Sequence, residues 1–227
     1  DARAVVAAAK SAGMKYVVFT AKHHDGFAMY HSKVSPYNVV DATPWKRDPL
    51  AELADATREA GLKLGIYYSL ARDWENPDAY NESKRNTWDF PKATAADAVR
   101  YLEQKVTPQV TELLTGYGDI AVLWFDTPEQ ATRKQSIALE LLVRRLQPRA
   151  IVNTRVGNRV GDYEEMGDNQ VPERATGRDF EVPATMAESW GYSELDTPPY
   201  WKSSTRLIRQ LVDIASKGGN YVLNIGP

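Results

Sequence analysis

Twice near its start the chain repeats one phrase: a helical stretch with spaced apolar positions stops at glycine and runs into an unbroken apolar string. Ala9-Lys10-Ser11-Ala12-Gly13-Met14-Lys15 leads into Tyr16-Val17-Val18-Phe19-Thr20, and Arg58-Glu59-Ala60-Gly61-Leu62-Lys63 leads into Leu64-Gly65-Ile66-Tyr67-Tyr68-Ser69. Glycine takes the left-handed conformation that ends a helix. Apolar strings without alternation suit strands covered on both faces, as parallel strands are. The unit recurs from Asp97 to Thr115 before Ile120–Phe125, from Lys134 to Leu146 before Ala150–Asn153, and from Thr205 to Ser216 before Tyr221–Ile225. Five helix-to-strand units predict an α/β fold, either a barrel or a doubly wound sheet. A sixth strand is expected around Met186 to Ser189. The rest of Thr154 to Pro199, rich in Gly, Pro and acidic residues, reads as a long loop of the kind that usually carries function, and Trp74 to Lys92 reads as another rim loop.

Polar residues gather where the predicted strands end: His23, His24 and Asp25; Tyr67, Tyr68 and Ser69; Asp126; Asn153 and Arg155; Asn224. Active sites of parallel barrels lie at the carboxyl ends of successive strands, whereas a doubly wound sheet concentrates them at one switch point. The distribution favours a (β/α)8-like TIM barrel. With five clear strands, a complete barrel needs material before Asp1 or further strands that the pattern does not reveal, and the barrel is expected to be incomplete at the N-terminus.

Composition narrows the chemistry. A formal net charge of −2, with 28 basic and 30 acidic residues spread along 227 positions, gives no electrostatic reason to expect nucleic acid as partner. No apolar run reaches membrane-spanning length, so membrane insertion is not expected. The absence of cysteine excludes disulfides, thiolate metal sites and a cysteine nucleophile. There is no Gly-x-Gly-x-x-Gly fingerprint, P-loop or Gly-x-Ser-x-Gly elbow, and Gly218-Gly219-Asn220 reads as a helix end rather than a phosphate loop. The expected ligand is neutral.

Asp126 ends an almost wholly apolar strand, where a carboxylate is costly unless hydrogen bonds or a cation meet it. It is either the N-cap of the next helix or a catalytic group, and Arg155, one strand on, is placed to pair with it. His23 and His24 follow a strand directly. Neighbours on extended chain face opposite ways, which hinders joint metal binding but allows each to meet a different hydroxyl. If Asp126 is a glycosidase nucleophile, a second carboxyl must protonate the leaving oxygen. Between Arg155 and Trp190 the acidic residues are numerous; Glu181, between Phe180 and Val182 with Pro183 next, has the apolar neighbours that suit a proton donor.

Read together, these residues resemble the retaining α-L-fucosidases of glycoside hydrolase family twenty-nine over essentially the whole chain. Tyr16–Phe27, with its Lys22-His23-His24-Asp25-Gly26, is similar to that family's histidine-pair motif. Gly65-Ile66-Tyr67-Tyr68-Ser69 resembles its tyrosine strand, Leu123-Trp124-Phe125-Asp126 its nucleophile strand, Val152-Asn153-Thr154-Arg155 its arginine strand, and residues 218–227 the end of its catalytic domain. The resemblance implies that Asp126 attacks the anomeric carbon and that His23, His24, Tyr67, Trp124 and Arg155 contact fucose. Trp190 would pack on the methyl group of the sugar. The acid/base is implied at Glu181, with Asp168 as the alternative position. Double displacement by this pair predicts carboxyl groups about 5 Å apart. No metal and no organic cofactor are implied, the partner is a fucosylated oligosaccharide or glycoconjugate, and the compartment is periplasmic, extracellular or lysosomal in type. Residues 1–227 would form a single catalytic (β/α)-barrel domain lacking the usual first strand and the C-terminal β-sandwich. Two other readings stand beside this one: a degenerate fucose-binding barrel, and a metal-dependent hydrolase using His23, His24 and Asp126.

Overall fold

A computed structural model describes residues 1–80 and 97–226. The chain divides into two compact units, Asp1–Gly161 and the residues from Asp162 onward.

The first unit is a four-stranded sheet in the order β1-β2-β3-β4, formed by β1 (Tyr16–Lys22), β2 (Lys63–Ser69), β3 (Val122–Asp126) and β4 (Ile151–Val152). Every pairing in it is parallel. The helices are α1 (Ala2–Ser11), α2 (Pro49–Ala60), α3 (Ala98–Tyr101), α4 (Thr107–Gly116) and α5 (Arg133–Leu146), with a π-helical turn at Leu102–Val106 joining α3 to α4. The glycine stops behave as read from the sequence: Gly13 and Gly61 both have left-handed backbone, with φ of 77° and 71°. Asp48 caps α2 from the other side, its carboxylate accepting from Leu50 N and Ala51 N while Pro49 opens the helix without a wasted donor.

Strand alternation gives the sheet two different faces. Ile66, Tyr68, Leu123 and Phe125 join Leu50, Leu53, Leu113, Leu114, Leu139 and Val143 of the helices in one buried cluster. The intervening positions align by register, with Gly65 beside Val122, Tyr67 beside Trp124 and Ser69 beside Asp126. Gly65 packs closely between its neighbours: a Cβ there would lie 3.1 Å from Val18 and 3.2 Å from Val122, so those side chains would have to give by a few tenths of an ångström.

The second unit is a parallel sheet in the order β5-β6-β7, with β5 (Glu164–Glu165), β6 (Phe180–Thr185), α6 (Ser204–Ser216) and β7 (Asn220–Asn224). Here the structure corrects two expectations. The additional strand lies at Phe180–Thr185, not around Met186 to Ser189, and the stretch expected to be a long loop contributes β5 and β6. All six residues of β6 are buried, so tertiary burial overrides the poor strand propensity of Glu181 and Pro183. Gly218 ends α6 with φ of 84°. The expected rim loop Trp74 to Lys92 falls partly outside the described residues, as does Pro227.

Candidate active site

Asp126 is the last residue of β3, and its side chain is held at both oxygens. Arg155 Nη1 donates to Oδ1 at 2.9 Å, and the Tyr67 hydroxyl donates to Oδ2 at 2.7 Å. The capping alternative falls away because Thr132 caps the following helix, in a reciprocal box with Gln135. Directly after Asp126 the chain turns through Thr127 at φ 53°, a conformation that a β-branched residue adopts at a cost. Arg155 comes from a 3-10 turn, Thr154–Val156, that follows the two-residue β4.

Between β4 and that turn, Asn153 does the work of another strand residue. Its side-chain oxygen accepts from Phe125 N at 2.9 Å, and its Nδ2 donates to Phe125 O at 2.9 Å. The buried carboxamide thus mimics a peptide group and carries the β3–β4 pairing to the residue before Asp126. Gly161 packs against this point, where a Cβ would stand 2.7 Å from Asn153 O.

The rings form a continuous wall. His23 stacks on Tyr67 with centroids 5.3 Å apart, Tyr67 stacks on Trp124 at 5.2 Å, and the Arg155 guanidinium lies 4.9 Å from the Trp124 centroid. His24 lies beside His23 at 4.1 Å, with its Nε2 4.0 Å from Asp126 Oδ2. The expectation that the two histidines face opposite ways is therefore corrected. The β1–β2 register shifts between Thr20 and Lys22, and the chain then turns at Gly26 with φ of 81°, so strict alternation has ended before the pair.

Both histidines are shifted toward the neutral form. Burial lowers the His23 pKa, and burial, reinforced by His23 alongside, pushes His24 down to about 4. The loop that carries them is fixed from beneath by a network the sequence does not announce. Lys22, wholly buried, donates to Asp73 Oδ2 at 3.1 Å and to the Tyr101 hydroxyl at 2.7 Å. Lys105 reaches the same Asp73 oxygen at 2.8 Å and Glu75 at 2.9 Å. Burial pushes Lys22 down to about 8; burial also works to raise Asp73, but its two lysine partners together outweigh it and hold Asp73 below the ordinary carboxylate range. Asp73 also abuts the turn: a Cβ on Gly26 would lie 2.1 Å from Asp73 Oδ1. Trp74 N donates to His24 O at 2.8 Å, completing the clasp.

Six of the expected site residues, His23, His24, Tyr67, Trp124, Asp126 and Arg155, thus come together in the first unit. The others lie in the second. Glu181 is the second residue of β6, 3% exposed, and accepts from the Tyr163 hydroxyl at 3.2 Å. It sits at the amino end of a parallel strand, four residues before Thr185, or about 13 Å at strand rise. Asp168 is exposed and precedes Asn169, whose N–H donates to Pro183 O at 2.8 Å and whose side-chain oxygen accepts from Thr185 N at 3.1 Å. That pairing sets Asp168 against the carboxyl half of β6. Trp190, 38% exposed, is tied through its carbonyl to the Asn224 amide at the carboxyl end of β7.

The first unit thus presents, on a parallel α/β sheet, a doubly anchored carboxylate inside an aromatic wall. The family model for alpha-L-fucosidase matches residues 1–227, and the chain belongs to that family. It is 31% identical to the tissue alpha-L-fucosidase of Mus musculus over 229 residues, covering 96% of this chain and 48% of that protein. The chain thus spans about half the length of this curated relative. Among solved structures it is similar to the alpha-L-fucosidase AlfC from Lactobacillus casei in complex with its alpha-L-fucose product, with 42% identity, a TM-score of 0.89 and coverage of 100% of this chain and 72% of that one. It is also similar to the alpha-L-fucosidase from Vibrio sp. strain EJY3, with 44% identity, a TM-score of 0.91 and coverage of 100% and 40%. No helix among the described residues is long and apolar enough to cross a membrane.

Proposed function

We propose that the protein is a retaining exo-α-L-fucosidase that releases terminal fucose from glycans or glycoconjugates by double displacement, with Asp126 as nucleophile. The observation that carries this reading is the anchoring of both Asp126 oxygens, by Arg155 at 2.9 Å and Tyr67 at 2.7 Å, within the stacked wall of His23, Tyr67 and Trp124. The anchors aim a carboxylate that would otherwise swing. The aromatic faces suit the C–H surface of a deoxy sugar, and the imidazoles and guanidinium suit its hydroxyls, stabilising the ring as it approaches an oxocarbenium ion. AlfC has been crystallised with Fucα(1,6)GlcNAc and with 4-nitrophenyl-α-L-fucopyranoside, which supports a fucosylated oligosaccharide as the substrate class. The parallel strands and their crossover helices, with these TIM-barrel relatives, support a (β/α)8-like barrel and one catalytic domain over 1–227.

The acid/base role passes from Glu181 to Asp168 in this proposal. Groups that act in parallel barrels stand beyond the carboxyl ends of strands, and Glu181 is at the amino end of β6, engaged by Tyr163, whereas Asp168 is exposed beside its carboxyl half. Asp168 protonates the departing oxygen, then removes a proton from the water that hydrolyses the fucosyl-Asp126 ester. Trp190 is the proposed contact of the fucose methyl group.

Hydrolysis of 4-nitrophenyl α-L-fucoside by the Asp126→Gly protein tests the nucleophile. Loss of activity by a factor of about 10³ or more, with azide restoring turnover and giving the inverted β-fucosyl azide, is expected. Activity near that of the unaltered protein would remove Asp126 from the role. For the acid, Asp168→Asn is expected to slow natural glycosides far more than the nitrophenyl substrate, whose leaving group needs no proton; that signature in Glu181→Gln instead would return the role to Glu181. Fucose binding without any hydrolysis would mark a degenerate binding barrel.

A further inference from the structure

We infer that Ser69 is a positioning residue that fixes His24 as the Nδ1–H tautomer, so that its bare Nε2 takes a hydrogen bond from a hydroxyl of the ligand. Ser69 is buried at the end of β2, and three groups surround its Oγ: His24 Nδ1 at 2.8 Å, Arg72 O at 2.9 Å and Thr127 Oγ1 at 3.3 Å. A hydroxyl has one proton to give and two lone pairs to offer. The Arg72 carbonyl has no proton, so the short contact to it requires the serine proton. Ser69 then has only lone pairs left for its other neighbours. His24 must therefore donate from Nδ1, and Thr127 is free to donate to the second lone pair.

The opposite tautomer would spend the serine proton on Nδ1 and leave two oxygen acceptors, Ser69 Oγ and Arg72 O, facing each other at 2.9 Å in a buried place. Two oxygens held that close with no proton between them repel each other, which disfavours this tautomer. With Nδ1 committed, the other ring nitrogen carries a lone pair at 4.0 Å from Asp126 Oδ2. Two acceptors at that separation do not bond to each other. Oδ2 already receives the Tyr67 proton at 2.7 Å, and burial keeps the ring uncharged at neutral pH. Nε2 is thus an acceptor facing the reacting carboxylate, and a hydroxyl that can donate satisfies it where an ether or fluorine cannot. On the fucosidase reading, on which the identity of the ligand rests, that group is a fucose hydroxyl.

The chain has only three histidines, which makes the tautomer directly readable. Two-bond ¹H–¹⁵N correlation spectra of the uniformly ¹⁵N-labelled protein at pH 7, with His24 assigned by its absence from the His24→Gln spectrum, are expected to show a neutral ring protonated at Nδ1. Saturation with fucose should move the Nε2 resonance and leave Nδ1 protonated. Ser69→Ala should increase the Nε2–H form, lowering fucose affinity by about tenfold, while Ser69→Thr, which keeps the hydroxyl, should retain the original pattern. A merely structural role for Ser69 would change stability without changing which nitrogen bears the proton. A wild-type spectrum with the proton on Nε2, or with a charged ring, overturns the inference regardless of how the variants fold. Because the tautomer is read without substrate, that failure is distinct from failure to hydrolyse 4-nitrophenyl fucoside, which would instead overturn the functional reading.

Discussion

Replacing Asp73 with asparagine isolates the buried network under the histidine loop. The substitution preserves shape and removes one negative charge from a cluster in which Lys22 and Lys105 both touch Asp73 Oδ2, at 3.1 and 2.8 Å. Breaking a buried pair from one side typically costs about 3–5 kcal/mol, but the Lys22 share has a ceiling. Its pKa already stands at about 8, so at pH 7 it needs to fall only a little further before the lysine sheds its proton, limiting that share to roughly 1 to 2 kcal/mol. The charge-assisted bond from Lys105 weakens to one with a neutral oxygen, adding about 1.5 kcal/mol. Lys105 retains Glu75 at 2.9 Å, so it is not stranded. The expected loss is therefore about 3 kcal/mol, near the lower end of the range, read as a fall in the urea midpoint at pH 7 with unchanged slope. Adding Lys22→Met removes the stranded cation, so the double variant should be about 1 kcal/mol more stable than the two single losses predict. A loss below 1 kcal/mol for Asp73→Asn, or strict additivity, would refute the reasoning that Asp73 compensates two buried cations.

Gly26→Ala should cost more than 2 kcal/mol, because its Cβ would stand 2.1 Å from Asp73 Oδ1 on a backbone with φ of 81°; kcat/KM on nitrophenyl fucoside should fall with it, and a neutral variant would show that the turn can shift freely. Asn153→Ala should cost about 2–3 kcal/mol in denaturant melts by removing both bonds to the buried Phe125 peptide, and Asn153→Asp should fare no better, since a carboxylate would face Phe125 O. Acid should destabilise the protein through His24: its folded pKa of about 4 lies below the ordinary value of 6.5, so the unfolded chain binds the extra proton first, and stability present above pH 6.5 is lost as pH falls towards 4. Between pH 7 and pH 5 this amounts to about 2 kcal/mol, and stability curves for wild type and His24→Gln that run parallel over that interval would exclude it.

How much of this was legible beforehand depended on whether a residue's role is set locally. The apolar runs at Leu64 and Ile120 mark β2 and β3, which are buried on both faces, and the run at Tyr16 marks β1 although that strand is only half-buried before Ala21; Gly13 and Gly61 mark the helix ends because few other residues adopt their backbone cheaply. Asp126 was conspicuous for the same reason, as a carboxylate closing an apolar strand. Strand β6 has no local signal because Glu181 and Pro183 oppose strand formation, while the burial that overrides them comes from neighbours distant in sequence. Asp73 and Lys105 carried no signal at all: Asp73 stands 51 residues from Lys22, and nothing in either local pattern announces that they meet.

The same distinction, local against tertiary, runs through the candidate site. Tyr67, Trp124 and Asp126 occupy alternate positions on adjacent strands, so once Tyr67 pairs with Trp124 in register the strand period alone puts all three on one face. The histidines lie past the register shift, where the period no longer governs, and their adjacency depends on the Gly26 turn and on Asp73 beneath it. Glu181 stands out in the sequence for its apolar neighbours, and those neighbours flank it because it lies within β6. The burial that recommended it is the burial of a strand interior, with Tyr163 on its carboxylate, whereas a group that must hand a proton to a departing sugar needs access. Asp168, one residue before the Asn169 clamp on Thr185, has that access and a fixed backbone beside it. The proposal of Asp168 as acid/base therefore rests on its exposure beside the carboxyl half of β6 rather than on its sequence neighbours.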